Sequence, residues 1–111
     1  KGLHKKEIQS LYQRSSDWLL SQPSSDYAIQ LSSNVSQQTA IDYIRASGFS
    51  KKLFYIKTYH KKGSRFVVLF GVYPSHLAAS KEVRKLPAKF KKQKPWVRSV
   101  SGLQKQLSKH Q

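Results

Sequence analysis

Shifted by 39 residues, the sequence lies over itself: Tyr27, Ile29 and Leu31 fall on Phe66, Val68 and Phe70, and Ser36, Ala40 and Ile44 fall on Ser75, Ala79 and Val83. Apolar residues at every second position mark a half-buried strand, and apolar residues three or four apart mark one face of a helix. Each copy therefore reads as a βαβ unit. Two copies in tandem predict an α+β fold, βαββαβ, with a four-stranded antiparallel sheet carrying two helices on one face, a ferredoxin-like or RNP-like arrangement.

Local signals fill in the elements. Tyr27 to Ser33 alternates as a strand, Asn34 is positioned to cap a helix over Val35 to Ser47, and Gly48 supplies the left-handed residue that ends it. Leu53 to His60 and Arg65 to Val72 are dense in aromatic and branched residues, with Lys61, Lys62, Gly63 and Ser64 as the turn of a hairpin. Ser75 caps a second helix that Pro87 ends, a basic loop covers Lys89 to Lys94, and Trp96 to Val100 forms the last strand. Ahead of this unit, Ile8, Leu11, Tyr12, Leu19 and Leu20 recur at helical spacing until Pro23, and behind it Leu103 and Leu107 suggest a final helical turn or two. The predicted organisation is an N-terminal helix and linker over 1–25, one domain over 26–100 and a helical tail over 101–111. Two readings compete for the first helix: a connector packing loosely on the domain, or a basic amphipathic helix on anionic lipid.

The repeat also predicts which side chains share a face. With Tyr27, Ile29, Leu31, Phe66, Val68 and Phe70 under the helices, Ala28, Gln30, Ser32, Arg65, Val67 and Leu69 point the other way. Placing Phe54, Ile56 and Val97 inward turns Tyr55, Lys57, Tyr59, Trp96 and Arg98 outward. An uncovered face of aromatics, cations and amides is expected to bind a ligand. The competing structural reading makes Trp96 a cap on the core edge and the tyrosines cross-strand pairs.

Charge narrows the ligand. Lys and Arg number 21 against five acidic residues, a net charge of +16, and beyond residue 83 there are nine basic residues and no acidic one. Such a chain attracts polyanions: nucleic acid, acidic glycan or anionic lipid. The five carboxylates are scattered, so the pairing that glycosidases need is missing. His4, His60, His76 and His110 lack metal-ligand spacing, no serine lies in a GxSxG context, and there is no cysteine. A binding module without cofactor or metal is expected, not an enzyme. Lys62-Gly63-Ser64-Arg65-Phe66-Val67 is similar to the RNP1 pattern, which makes an RNA-binding module the alternative. Against it, Ser64 stands where an aromatic is required, and Phe66 is expected inward where base stacking needs it outward.

Three stretches carry a resemblance to a known family: Tyr27-Ala28-Ile29-Gln30-Leu31-Ser32-Ser33, then Arg65 through Gly71-Val72-Tyr73-Pro74-Ser75, and Leu86-Pro87-Ala88 followed by Lys94-Pro95-Trp96. Over residues 26 to 100 the chain resembles the SPOR, or sporulation-related repeat, family, and Trp18 to Pro23 is similar to the lead-in of its cell-division members. The resemblance implies binding of septal peptidoglycan at glycan strands stripped of stem peptides. Its contacts would fall on Gln30, Ser33, the position of Arg65, and Trp96. Together with the face assignment, the candidate glycan-binding residues are Gln30, Ser32, Ser33, Tyr55, Lys57, Tyr59, Arg65, Trp96 and Arg98. Division-protein members tend to carry an aromatic at the Arg65 position, so either a cation replaces a stack or Tyr59 supplies one. Removing the peptide leaves a free lactyl carboxylate on each stripped muramic acid, which makes the strand a polyanion.

The resemblance further implies a periplasmic domain of a bitopic inner-membrane protein concentrated at the division septum. Other division proteins are a further class of partner, and nucleic acid is expected to bind only non-specifically. No run of 18 apolar residues is present and the chain opens on Lys1, so it is expected to be a piece of a longer protein.

Overall fold

Strand, helix, two strands, helix, strand is the order found at the centre of a computed structural model that describes residues 5–49 and 52–108. The elements are α1 (Lys5–Leu20), β1 (Tyr27–Asn34), α2 (Gln37–Ser47), β2 (Leu53–His60), β3 (Gly63–Tyr73), α3 (His76–Lys85), α4 (Ala88–Lys91), β4 (Trp96–Ser99) and α5 (Val100–Ser108). The strands form one sheet in the order β2-β3-β1-β4, with every pairing antiparallel. His4 and His110 lie outside the described residues, as do the side chains of Ile8, Leu11, Tyr12 and His60.

The internal repeat extends to the helix caps. Ser36 Oγ accepts from the Thr39 amide at 3.1 Å and Ser75 Oγ accepts from the Ala78 amide at 3.0 Å, so equivalent serines start α2 and α3. The cap of α2 is therefore Ser36 and not Asn34. Asn34 is the last residue of β1, and its amide donates to Ser32 Oγ and the Phe66 carbonyl. Gly48 ends α2 with φ 82°, as expected. The segment expected as a basic loop contains the short α4, which buries Phe90, and the last leucines belong to the nine-residue α5.

The sheet has a core on each face. On one side α2 and α3 pack Ala40, Ile41, Ile44 and Ala79 against Ile29, Leu31, Leu53, Tyr55 and Val68. On the other, Leu19 of α1 and Val100, Leu103 and Leu107 of α5 bury Ala28, Ile56, Val67 and Leu69. The expectation of one uncovered face is corrected accordingly: α1 and α5 cover most of it. The first helix is not a loose connector, since Leu19 is fully buried and Trp18 stacks on Phe54 at 4.1 Å between ring centroids. Ser15 Oγ of α1 also accepts the Tyr55 amide at 3.1 Å, which occupies a backbone donor of edge strand β2. Gln104 of α5 donates to the Leu19 and Gln22 carbonyls at 3.0 and 2.9 Å, tying the two terminal helices together.

Register corrects the faces of β2. Directly opposed residues of an antiparallel pair share a face. Tyr55 opposes Val68 and Lys57 opposes Phe66, so both lie on the α2/α3 side, while Ile56 opposes Val67 on the side of α1 and α5. Phe54 and Ile56 are thus outward and Tyr55 inward, the reverse of the sequence expectation. Phe66 is on the expected side and packs against the α2/α3 core.

Two irregularities interrupt the β1–β3 ladder. Ala28 pairs with Val72 and Ile29 with Phe70, leaving Gly71 as an extra residue with φ 67°. Gln30 pairs with Leu69 and Ser32 with Val68, leaving Leu31 extra on β1. Each is a bulge, which shifts the inside–outside alternation by one residue. Leu31 and Ser32 consequently both belong to the α2/α3 side, and Gln30 and Ser33, three residues apart, share the other.

Candidate functional site

Where α1 and α5 stop short, one end of the sheet stays accessible and collects residues from β3, β1 and β4. Gln30 pairs with Trp96, Ala28 with Arg98 and Ser33 with Val67, so Gln30, Ser33, Arg65, Trp96 and Arg98 project from the same face. Trp96 is 52% exposed, a large apolar surface for an ordered strand residue.

Arg98 organises this end. Its Nη1 donates to Gln30 Oε1 at 2.6 Å, its Nη2 donates to Gln106 Oε1 at 3.0 Å, and its guanidinium carbon lies 4.8 Å from the centre of the Trp96 ring. A planar fork can make both bonds and still stack, which a lysine ammonium cannot. The bond to Oε1 fixes the orientation of the Gln30 amide. Gln30 is itself 9% exposed, and among the described residues its NH2 group has no acceptor, so it can donate to a ligand that reaches it. Burial pulls the Arg98 pKa below its usual value by penalising the charged form, yet a guanidinium remains a cation at neutral pH.

Arg65 lies beside Ser33, its Nε donating to Ser33 Oγ at 3.0 Å and its Nη2 to the Ser33 carbonyl at 3.1 Å. Among the described residues neither arginine meets a carboxylate. The ion pair Lys85–Glu82, at 4.0 Å, stands on α3 and not at this end. Among the described residues the two guanidinium groups thus lack a counter-charge, and an anion could pair with them.

Two clefts meet at Ser33. One, of about 210 Å3, is lined by Gln30, Leu31, Ser32, Ser33, Gln93, Lys94 and Trp96. The other, of about 380 Å3, is lined by Ser33, Val35, Lys62, Gly63, Ser64 and Arg65. Because Ser33 lines both, the two clefts make one track from Trp96 to Lys62. Lys94 has φ 54°, an uncommon conformation for a side-chain-bearing residue, at the turn that delivers Trp96 to the track. A larger hollow at the α1–β2 edge, floored by the Trp18–Phe54 stack, lies apart from these arginines.

Of the nine candidates, the structure brings together Gln30, Ser33, Arg65, Trp96 and Arg98. Ser32 lines the first cleft, but it is buried and its hydroxyl accepts from Asn34. Tyr55, Lys57 and Tyr59 are not part of the track. Tyr55 is fully buried and its hydroxyl accepts from Gln37 Nε2 at 2.7 Å. Lys57 Nζ lies 5.3 Å from the Tyr59 ring centre and 5.8 Å from that of Phe66, on the α2/α3 side. Tyr59 therefore cannot supply a stack beside Arg65. Sequence reasoning missed Gln106, whose role depends on where α5 returns, and Lys62, which periodicity assigned only to a turn.

No family model matches the chain. It is 34% identical over 89 residues to the cell division protein DamX of Serratia marcescens, a stretch that covers 80% of this chain and 41% of that protein. The matched length takes in most of the βαββαβ sheet, and the SPOR-like segments quoted above lie on β1, on the β3–α3 step and at the start of β4. The chain belongs to the SPOR-domain family, as a homologue of DamX.

Proposed function

We propose that this chain is the peptidoglycan-binding domain of a cell-division protein, and that it holds glycan strands freed of stem peptides along the track from Trp96 to Lys62. The observation that carries the reading is the Arg98 constellation: a guanidinium with no carboxylate partner among the described residues, which orients Gln30 and backs the exposed Trp96. A stripped strand offers flat sugar rings to the indole, acceptors to the Gln30 amide and lactyl carboxylates to Arg65 and Lys62. Stem peptides would remove those carboxylates and add bulk over a shallow surface, so discrimination is both electrostatic and steric. Binding, with no catalysis, is the activity assigned.

Homology to a cell division protein supports action at the septum. A septal glycan ligand in turn implies a periplasmic domain of a membrane-anchored parent. Among the described residues no helix is long and apolar enough to cross a membrane. The RNA alternative is disfavoured because Phe66 packs against the α2/α3 core, where it cannot stack on a base.

Pelleting with purified sacculi, before and after amidase digestion, tests the reading. The chain is expected to co-sediment, more so after digestion, and to be released by salt as screening shortens to about 8 Å at physiological ionic strength. Equal sedimentation with and without amidase would refute recognition of stripped strands. Sequence-selective RNA binding at physiological salt would reverse the ranking of the two ligands.

A further inference from the structure

The indole of Trp96 lines a second cleft on the opposite side of the β4 edge. This cleft, of about 360 Å3, is formed by His76, Ser80, Val83 and Arg84 of α3 with Trp96 and Val97 of β4. His76, Ser80 and Arg84 are four residues apart, so they form one stripe of α3 facing the outer edge of the sheet. Two of them are held in place: the His76 ring stands edge-on to Tyr27 at 5.7 Å, and its Nδ1 lies 3.3 Å from Ser80 Oγ. Arg84 is exposed, and among the described residues its guanidinium meets no carboxylate; neighbouring Glu82 pairs with Lys85. β4 is an edge strand, so its outward backbone groups are also unpaired by any neighbouring strand.

We infer that the ligand track continues past Trp96, over the β4 edge and onto α3, where His76, Ser80 and Arg84 form a subsite for a further repeat of the same anionic glycan. The inference rests on the glycan reading above and extends it. Trp96 is the hinge of the path because it lines both clefts. The new subsite matches the first in kind: Trp96 walls both, serine lines each, and an exposed cation stands at each, Lys94 in the first and Arg84 in the second. A long strand can fill both clefts at once, whereas a short fragment fills the better-organised first one. Affinity should therefore rise with strand length.

The test measures binding of an amidase-stripped tetrasaccharide and of stripped strands of octasaccharide length or longer to the intact chain, to Arg84→Ala and to Lys52→Ala. Lys52 is exposed just before β2, at the opposite edge of the sheet, and its replacement makes the same change in net charge. Expected is tighter binding of the long strands by the unmodified chain, and a loss of about threefold to tenfold on those strands for Arg84→Ala. Tetrasaccharide binding should be unchanged in Arg84→Ala, and Lys52→Ala should bind both ligands like the unmodified chain. Long-strand binding unaffected by Arg84→Ala overturns the inference, as does an equal loss for both lengths or for both variants. If the unmodified chain binds neither oligosaccharide, the glycan reading itself falls.

Discussion

Replacing Trp96 by alanine separates a ligand-stacking role from a core role, because the structure sets the two costs apart. A tryptophan that is 52% exposed has about half its surface covered. For a side chain of up to about 250 Å2, that is roughly 120 Å2. At about 25 cal/mol per Å2 the loss on truncation is at most about 3 kcal/mol. Compactness of the unfolded chain lowers it by roughly 10–40%, to about 2 kcal/mol. Small domains have roughly 5–15 kcal/mol of stability, so the fold should persist. Melting should fall by roughly 4–8 °C per kcal/mol lost. Ligand stacking on an open sheet is worth about 1–3 kcal/mol in nucleic-acid systems. Its lower end predicts a loss of glycan affinity of about fivefold, and 1.4 kcal/mol would make it about tenfold. Thermal melting and sacculus binding, the latter measured well below the variant's midpoint, check both numbers. Unchanged binding by a folded Trp96→Ala protein would refute the stacking role, and loss of the folded state would refute the half-exposed placement.

Other perturbations probe the rest of the molecule. Tyr55→Phe deletes a buried hydroxyl that accepts from Gln37, so thermal or urea melting should show a loss of about 0.5–1.5 kcal/mol while sacculus binding stays unchanged. Reduced binding would return Tyr55 to the site. Gly71→Ala forces a side chain into φ 67°, and its Cβ would stand 2.6 Å from Tyr73 Oη. A destabilisation of at least about 1–2 kcal/mol is expected from the left-handed conformation alone. Wild-type melting would show that the bulge relaxes freely. Leu103→Ala opens the core beneath α5, where the leucine is fully buried, and should cost about 2–5 kcal/mol by urea denaturation. A cost under about 1 kcal/mol would mean that α5 is only an appendage.

Sequence periodicity determined the order of the four strands and of the two helices between them, the inward set of β1 and β3, and the outward placement of Trp96 and Arg98, because strand and helix periods are written directly in side-chain polarity. It could not phase β2. Phe54, Tyr55 and Ile56 are consecutive large apolar residues on a strand covered on both faces, so alternation carries no signal there, and only the pairing of Tyr55 with Val68 and Ile56 with Val67 decides the faces. Nor does polarity announce a bulge: the extra residue at Leu31 is what separates Ser32 from Ser33 and joins Ser33 to Gln30. The terminal helices were legible as helices, but the surface they cover was not. Amphipathicity shows that an apolar stripe must be buried without showing against what. Docking of Leu19, Leu103 and Leu107 on Ala28, Ile56, Val67 and Leu69 closed most of the face that would otherwise be open. It also brought Gln106 to Arg98, so the shape of the remaining track was decided by contacts between residues far apart in the chain.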